Sequence, residues 1–144
     1  MAEAIAEAKQ GQANGGIPIG SVLVSDGRII GRGHNQRVQG NNPILHAEMV
    51  AIQNAGRLRA STYSKSTIYT TLSPCTMCAG TIILFKIPRV VIGENITVQN
   101  LTLCEDWLID HGVTVVNLNL RECIDLMQNF VAKSPDIWSE DVGV

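Results

Sequence analysis

Thr67-Ile68-Tyr69-Thr70-Thr71-Leu72-Ser73-Pro74-Cys75-Thr76-Met77-Cys78 carries the reading of the fold. Its first half is β-branched and apolar, the composition of a central strand. Ser73-Pro74 breaks the strand, since proline brings no N–H to a ladder. A helix opens near Cys75, and apolar spacing carries it through Phe85. Upstream, Ser21-Val22-Leu23-Val24 and Ile29 to Asn35 flank the turn Ser25-Asp26-Gly27-Arg28, which predicts an antiparallel hairpin. Met1 to Gly11 reads as the end of an amphipathic helix, stopped by Gly11 or by Asn14-Gly15-Gly16. Past the polar loop Gln36 to Asn42 and Pro43, helical spacing runs from His46 to Ala55 and Gly56 ends it. Downstream come a strand over Arg89 to Gly93, a helix over Leu101 to His111 ended by Gly112, a strand over Val113 to Leu118, and a helix over Arg121 to Lys133. Ser134 to Val144 is a polar tail carrying Trp138 and Asp141. Helices alternating with strands predict a three-layer α/β/α fold around a mixed sheet, as a single domain over residues 1–144.

Composition narrows the function classes. Apolar residues make up 45 % and charged residues 17 % of 144 residues, an ordinary globular balance. A net charge of −2 gives no footprint for nucleic acid, so neither a nucleic-acid nor a membrane partner is expected. Arg28, Arg32, Arg37, Arg57 and Arg59 are scattered among other residue types and read mostly as a solvated face. The longest apolar run, Thr81 to Phe85, is too short to span a bilayer, and no secretory signal is evident. The four cysteines do not suggest a disulfide framework, and the expected location is cytoplasmic.

Two motifs carry chemistry. His46-Ala47-Glu48 supplies an imidazole and a carboxylate, and Pro74-Cys75-Thr76-Met77-Cys78 supplies two thiols on one helical turn. Side chains at a helix start point back past its end, so both motifs can aim at a common point. One nitrogen and two sulfur ligands suit one Zn2+ per chain; three protein ligands leave a fourth position for water, as in a catalytic site. Two thiolates neutralise the metal and acidify its water less than an all-histidine set does. A neighbouring base is then needed, and Glu48 fits: it can take a proton from water and pass it to a ring nitrogen and then to leaving ammonia. H-x-E followed by P-C-x-x-C is the signature of zinc deaminases. Alternatives are a redox-active CxxC, or a structural zinc completed by Cys104, Cys123 or His111 in a non-enzymatic module.

The chain resembles the cytidine-deaminase superfamily and, within it, the fungal-type cytosine deaminases. The marks are Gly15 to Gly20, Gly31 to Asn35, Leu45 to Glu48, Tyr69 to Cys75, Ile87 to Arg89, Val91 to Asn95, and the ending Trp138-Ser139-Glu140-Asp141-Val142-Gly143. The resemblance implies a five-stranded sheet between helices, a homodimer, zinc on His46, Cys75 and Cys78, and proton transfer by Glu48. It implies that Asn35 bonds a pyrimidine ring and that Asp141 accepts from the exocyclic amine. Trp138 and Ile19 would line the pocket, residues 134–144 would cap it, and the backbone at Ala47, Ser73 and Cys75 would contact the substrate or the metal's water. The small-molecule nucleobase expected is cytosine, converted to uracil and ammonia in pyrimidine salvage. Two departures stand out. The family begins upstream of Met1, so a shortened first helix is expected. The family also places an aromatic residue on the ring after Glu94-Asn95, where this chain has Val98, and the stretch from Val98 to Cys104 is longer by a couple of residues. Another cyclic amidine, such as isocytosine, guanine or a creatinine-like ring, therefore stays open as substrate, as does a tRNA adenosine.

Overall fold

The structure, a computed structural model, describes residues 1–98 and 104–143. Five strands form one sheet: β1 (Gly20–Ser25), β2 (Arg28–His34), β3 (Ser66–Leu72), β4 (Arg89–Glu94) and β5 (Thr114–Asn117). Their order is β2-β1-β3-β4-β5. β1 pairs antiparallel with β2 and β3, while β3, β4 and β5 run parallel. The helices are α1 (Ala2–Ala13), α2 (Ala47–Ala55), α3 (Ala60–Tyr63), α4 (Thr76–Leu84), α5 (Glu105–Asp110), α6 (Arg121–Lys133) and α7 (Pro135–Val142). This is the expected three-layer α/β/α architecture with a five-stranded mixed sheet.

The strand pleat sorts the layers. Gly20 and His34 are paired and face α1, where His34 Nδ1 meets Glu7 Oε2 at 3.0 Å. Their neighbours Ser21 and Gly33 face the other way, and Gly33 lies against Val50 and Ala51 of α2. On that second face Leu23, Ile52, Ile68, Ile82, Ile92 and Leu108 join α2, α4 and α5 in the larger apolar core. A smaller cluster gathers Ile17, Ile19, Leu72, Val98, Met127 and Phe130, with Ile137 and Trp138 packed against it. Among the described residues, no helix is long and apolar enough to cross a membrane.

α1 runs through Gly11, which packs against the His34 ring, and ends at the second of the two expected stops, with Asn14 as its C-cap and φ of +83° at Gly15. Other boundaries differ from the sequence reading. The short α3 was not anticipated; it has only four residues, too few for a periodic signal. The polar tail folds as α7, started by Pro135 at its first turn and ended by Gly143 in the left-handed region. The helix expected over Leu101 to His111 begins at Glu105, and residues 101–103 lie outside the described residues. Phe85 stacks on Tyr63 at 4.7 Å between ring centroids, which makes it part of the core.

The hairpin glycines set how closely the helices approach. A Cβ at Gly31 would collide with the Ala51 carbonyl, and one at Gly33 with Val50. Both would push α2, and Glu48 with it, away from the sheet. Gly31→Ala is expected to destabilise the fold by about 1–3 kcal/mol through overpacking, read as a lower denaturation midpoint in urea.

Candidate metal centre and active site

Two helix N-termini converge at the C-terminal end of β3. His46 is the N-cap of α2 and Cys75 the N-cap of α4, both with extended backbone. Cys78 lies three residues on, buried in the first turn of α4. One ligand atom from each of His46, Cys75 and Cys78 lies within 4.8 Å of the others, and among the described residues this is the one such group of three or more. Cys104, Cys123 and His111 lie outside it. None of the four cysteines forms a disulfide. An imidazole nitrogen with two sulfurs is a donor set that zinc favours, and three ligands leave room for a water. The residues present fit the metal.

Electrostatics prepare the donors. Cys75 is pulled down to about 4: a hydrogen bond with Cys78 and another with His46 outweigh the cost of burying the thiolate. Cys78 moves the opposite way, well above its usual range, because it hydrogen-bonds Cys75 and is buried. One thiol thus ionises at the other's expense. For His46, burial favours the neutral ring, but the bond to Cys75 and the charges of Asp141, Cys75 and Glu48 prevail and raise it to about 9. His46 Nδ1 lies 3.5 Å from Cys75 Sγ, and its Nε2 lies 3.6 Å from Asp141 Oδ1. A carboxylate behind a ligating histidine fixes the ring's orientation.

Glu48 stands in the first turn of α2 and is buried. Burial first, then the Cys75 charge, raise its carboxyl above the usual range. Thr70 Oγ1 donates to Glu48 Oε1 at 3.1 Å, and Cys78 Sγ approaches Oε2 at 3.5 Å. His46, Glu48 and Cys75 open onto a cavity of about 860 Å³. Ile19, Asn35, Ala47, Ser73, Val98, Trp138 and Asp141 all line it. Asn35 Nδ2 donates to Asp141 Oδ1 at 3.2 Å, which ties the end of β2 to α7. Burial raises the Asp141 carboxyl, opposed by His46, Asn35 and Arg37.

Some functional contacts were not foreseen. Arg37, read as part of a solvated face, lines the cavity and reaches α7, where Nη1 stands 3.4 Å from Glu140 Oε2. Thr70 was read only as a strand residue, yet alternation puts its hydroxyl under Glu48. Glu105 gathers Ser73 Oγ at 3.0 Å and Asn95 Nδ2 at 2.8 Å onto one carboxylate oxygen. It thereby joins the loop before Cys75 to the 3-10 turn Ile96–Val98. An acid in the first turn of a helix was the only sequence signal for that role.

The sequence profile of the cytidine and deoxycytidylate deaminase zinc-binding region matches residues 1–94. The chain belongs to this deaminase family. It is 52 % identical to a cytosine deaminase of Candida albicans over 141 residues, which cover 97 % of this chain and 92 % of the relative. It is 39 % identical to a tRNA-specific adenosine deaminase of Streptococcus pyogenes serotype M1, over 90 % of this chain and 80 % of that protein. Among solved structures, one from work on A-to-I editing by tRNA:A34 deaminases superposes with a TM-score of 0.74 at 29 % identity, covering 88 % of this chain and 96 % of the other. A guanine deaminase from Nitrosomonas europaea shares the fold at 22 % identity and a TM-score of 0.73, over 90 % of this chain and 81 % of that one. Family membership makes the chain a zinc-binding deaminase that hydrolyses a C–N bond.

Metal loading should be proton-linked. At pH 7 the metal-free centre holds protons on His46 and Cys78 but not on Cys75. Zinc must displace them, so loading is expected to release about two protons, and affinity should climb about a hundredfold per pH unit between pH 6 and 8. Calorimetry in buffers of different ionisation heat reads the proton count.

Proposed function

We propose that the chain deaminates a free nucleobase, foremost cytosine to uracil and ammonia, with Glu48 as the proton carrier and His46, Cys75 and Cys78 as zinc ligands. The C-terminal helix carries this reading. α7 brings the Asp141 carboxylate, with its side chain 3 % exposed, to Asn35 and the metal-ligating histidine, and it sets Trp138 on the pocket wall. A pocket lined by α7 and Gly143 of its own chain suits a small ring better than a base still attached to a polymer. The 52 % identity to a cytosine deaminase over nearly the whole length supports the same choice.

The residues divide the work. Bound zinc would supply Lewis acidity, lowering the pKa of a water in its fourth position. Glu48 takes one proton from the attacking water and gives it to the ring nitrogen, then takes the second from the new C–OH and gives it to the departing amine as the C–N bond breaks. Its raised carboxyl pKa brings it closer to neutrality, where it can both accept and donate. Asp141 accepts from the exocyclic N–H2. Uracil presents a carbonyl there, leaving two acceptors face to face, which favours release of the product. Asn35 bonds the ring edge. Ala47, first residue of α2, has an N–H with no partner inside the helix and can donate to the ring carbonyl. The Ser73 N–H is already bound to the Glu94 carbonyl, so Ser73 offers its own carbonyl. Ile19, Val98 and Trp138 enclose the ring faces. Val98 is aliphatic, which supports a second reading: a related cyclic amidine bulkier than cytosine.

A second copy of the chain is the partner we propose. Leu84 is 73 % exposed and Trp107, lying over Gly80 of α4, is 41 % exposed. This apolar patch on α4 and α5 fits a homodimer seam. Thiols in no disulfide fit a reducing compartment such as the cytoplasm.

Three outcomes test this. In an ammonia-release screen over cytosine, isocytosine, guanine, adenine, creatinine and cytidine, cytosine is expected to turn over fastest; inert cytosine beside another active ring would replace the substrate and keep the class. Glu48→Gln is expected to keep its zinc and lose about a thousandfold in kcat. Leu84→Glu should shift sedimentation from dimer to monomer.

A further inference from the structure

We infer that Arg37 is a positioning residue for this site: its backbone orients Asn35, and its guanidinium holds Glu140 and Asp141 of α7 over the pocket. The inference rests on the proposed reading of Asn35 and Asp141 as the groups that recognise the ring.

The backbone part concerns Asn35. Arg37 N–H donates to Asn35 Oδ1 at 3.0 Å, the local turn that Asn makes with the residue two positions on. With Oδ1 so engaged, the Asn35 amide nitrogen is the end that faces Asp141. Asn35 is thereby presented to the pocket as a donor, opposite the acceptor Asp141.

The side chain does the rest. Arg37 Nη1 lies 3.4 Å from Glu140 Oε2, and Nε lies 3.9 Å from Asp141 Oδ1. One planar fork meets acids on two consecutive residues of α7, a geometry that a single ammonium matches poorly. Exposure ranks the contacts: the Arg37 side chain is 20 % exposed and Glu140 69 %. α7 needs this hold because it buries no apolar residue completely. Ile137 and Trp138 pack its first half against the smaller apolar cluster. Its second half receives polar contacts from Asn35, Arg37 and His46 to Glu140 and Asp141. Arg37 and Glu140 also line both the main cavity and a smaller one of about 300 Å³ beside Asn41 and Ile137. Their contact stands between the two spaces.

Such a residue acts on binding through Asp141 and leaves the metal and Glu48 alone. Arg37→Gln, which keeps the backbone bond to Asn35, is expected to raise KM about tenfold while kcat changes less than about threefold, the pattern of lost uniform binding. Arg37→Lys should recover part of the loss. Zinc content and melting temperature should stay at parental values, and α7 amides should exchange hydrogen faster in Arg37→Gln. A parental KM in Arg37→Gln overturns the inference, as does a matched fall of kcat and melting temperature in both variants. If Arg37→Gln fails to fold, Arg37→Lys decides: a raised KM supports the role and a parental one overturns it. If the parent protein deaminates no ring at all, the proposed function fails instead. Exchange at α7 in the zinc-loaded proteins then decides for Arg37, unchanged protection overturning the role.

Discussion

Two helices begin where β3 ends, and each starts on a metal donor. His46 and Cys75 are N-caps, the positions where a helix presents unpaired N–H groups and partial positive charge. Thiolate charge is therefore easiest to hold here, and Cys75 is the thiol that ionises. The strand fixes the spacing. β3 is flanked on both sides in the sheet and cannot shift without breaking two ladders. The loop that leaves it is held at Ser73 by the Glu94 carbonyl and by Glu105. Cys75 thus follows a segment held on both sides.

The residues that we propose recognise the ring are distributed differently. Asn35 follows β2, Val98 follows β4, and Trp138 and Asp141 sit on the last helix. These segments are remote in sequence and meet only through the fold. The chemistry and the selection of substrate can therefore change separately. A family that includes relatives named for cytosine and for tRNA adenosine, on the same fold, fits this division.

Much of this was legible in the sequence, for physical reasons. The β-branched run before Pro74, the turn at Asp26-Gly27 and the Gly56 stop each act within a few residues, so a linear reading finds them. The three residues of the metal centre were legible because zinc chemistry constrains residue types and spacing together. Asp141 and Trp138 were visible only through resemblance, since nothing local marks a polar tail as a helix over a pocket. Arg37 was misread because its neighbours in sequence are polar, while its partners lie about a hundred residues away. Thr70 and Glu105 escaped for the same reason: a hydroxyl or carboxylate reveals its role only when its partner is placed.

The bond between Asn95 and Glu105 closes a ten-residue separation in the chain at its neck. Closing a loop at fixed ends costs entropy that grows only with the logarithm of length, about 0.6 kcal/mol for each doubling. The carboxylate that closes this separation also holds Ser73, so one group fixes both the segment after β4 and the approach to Cys75.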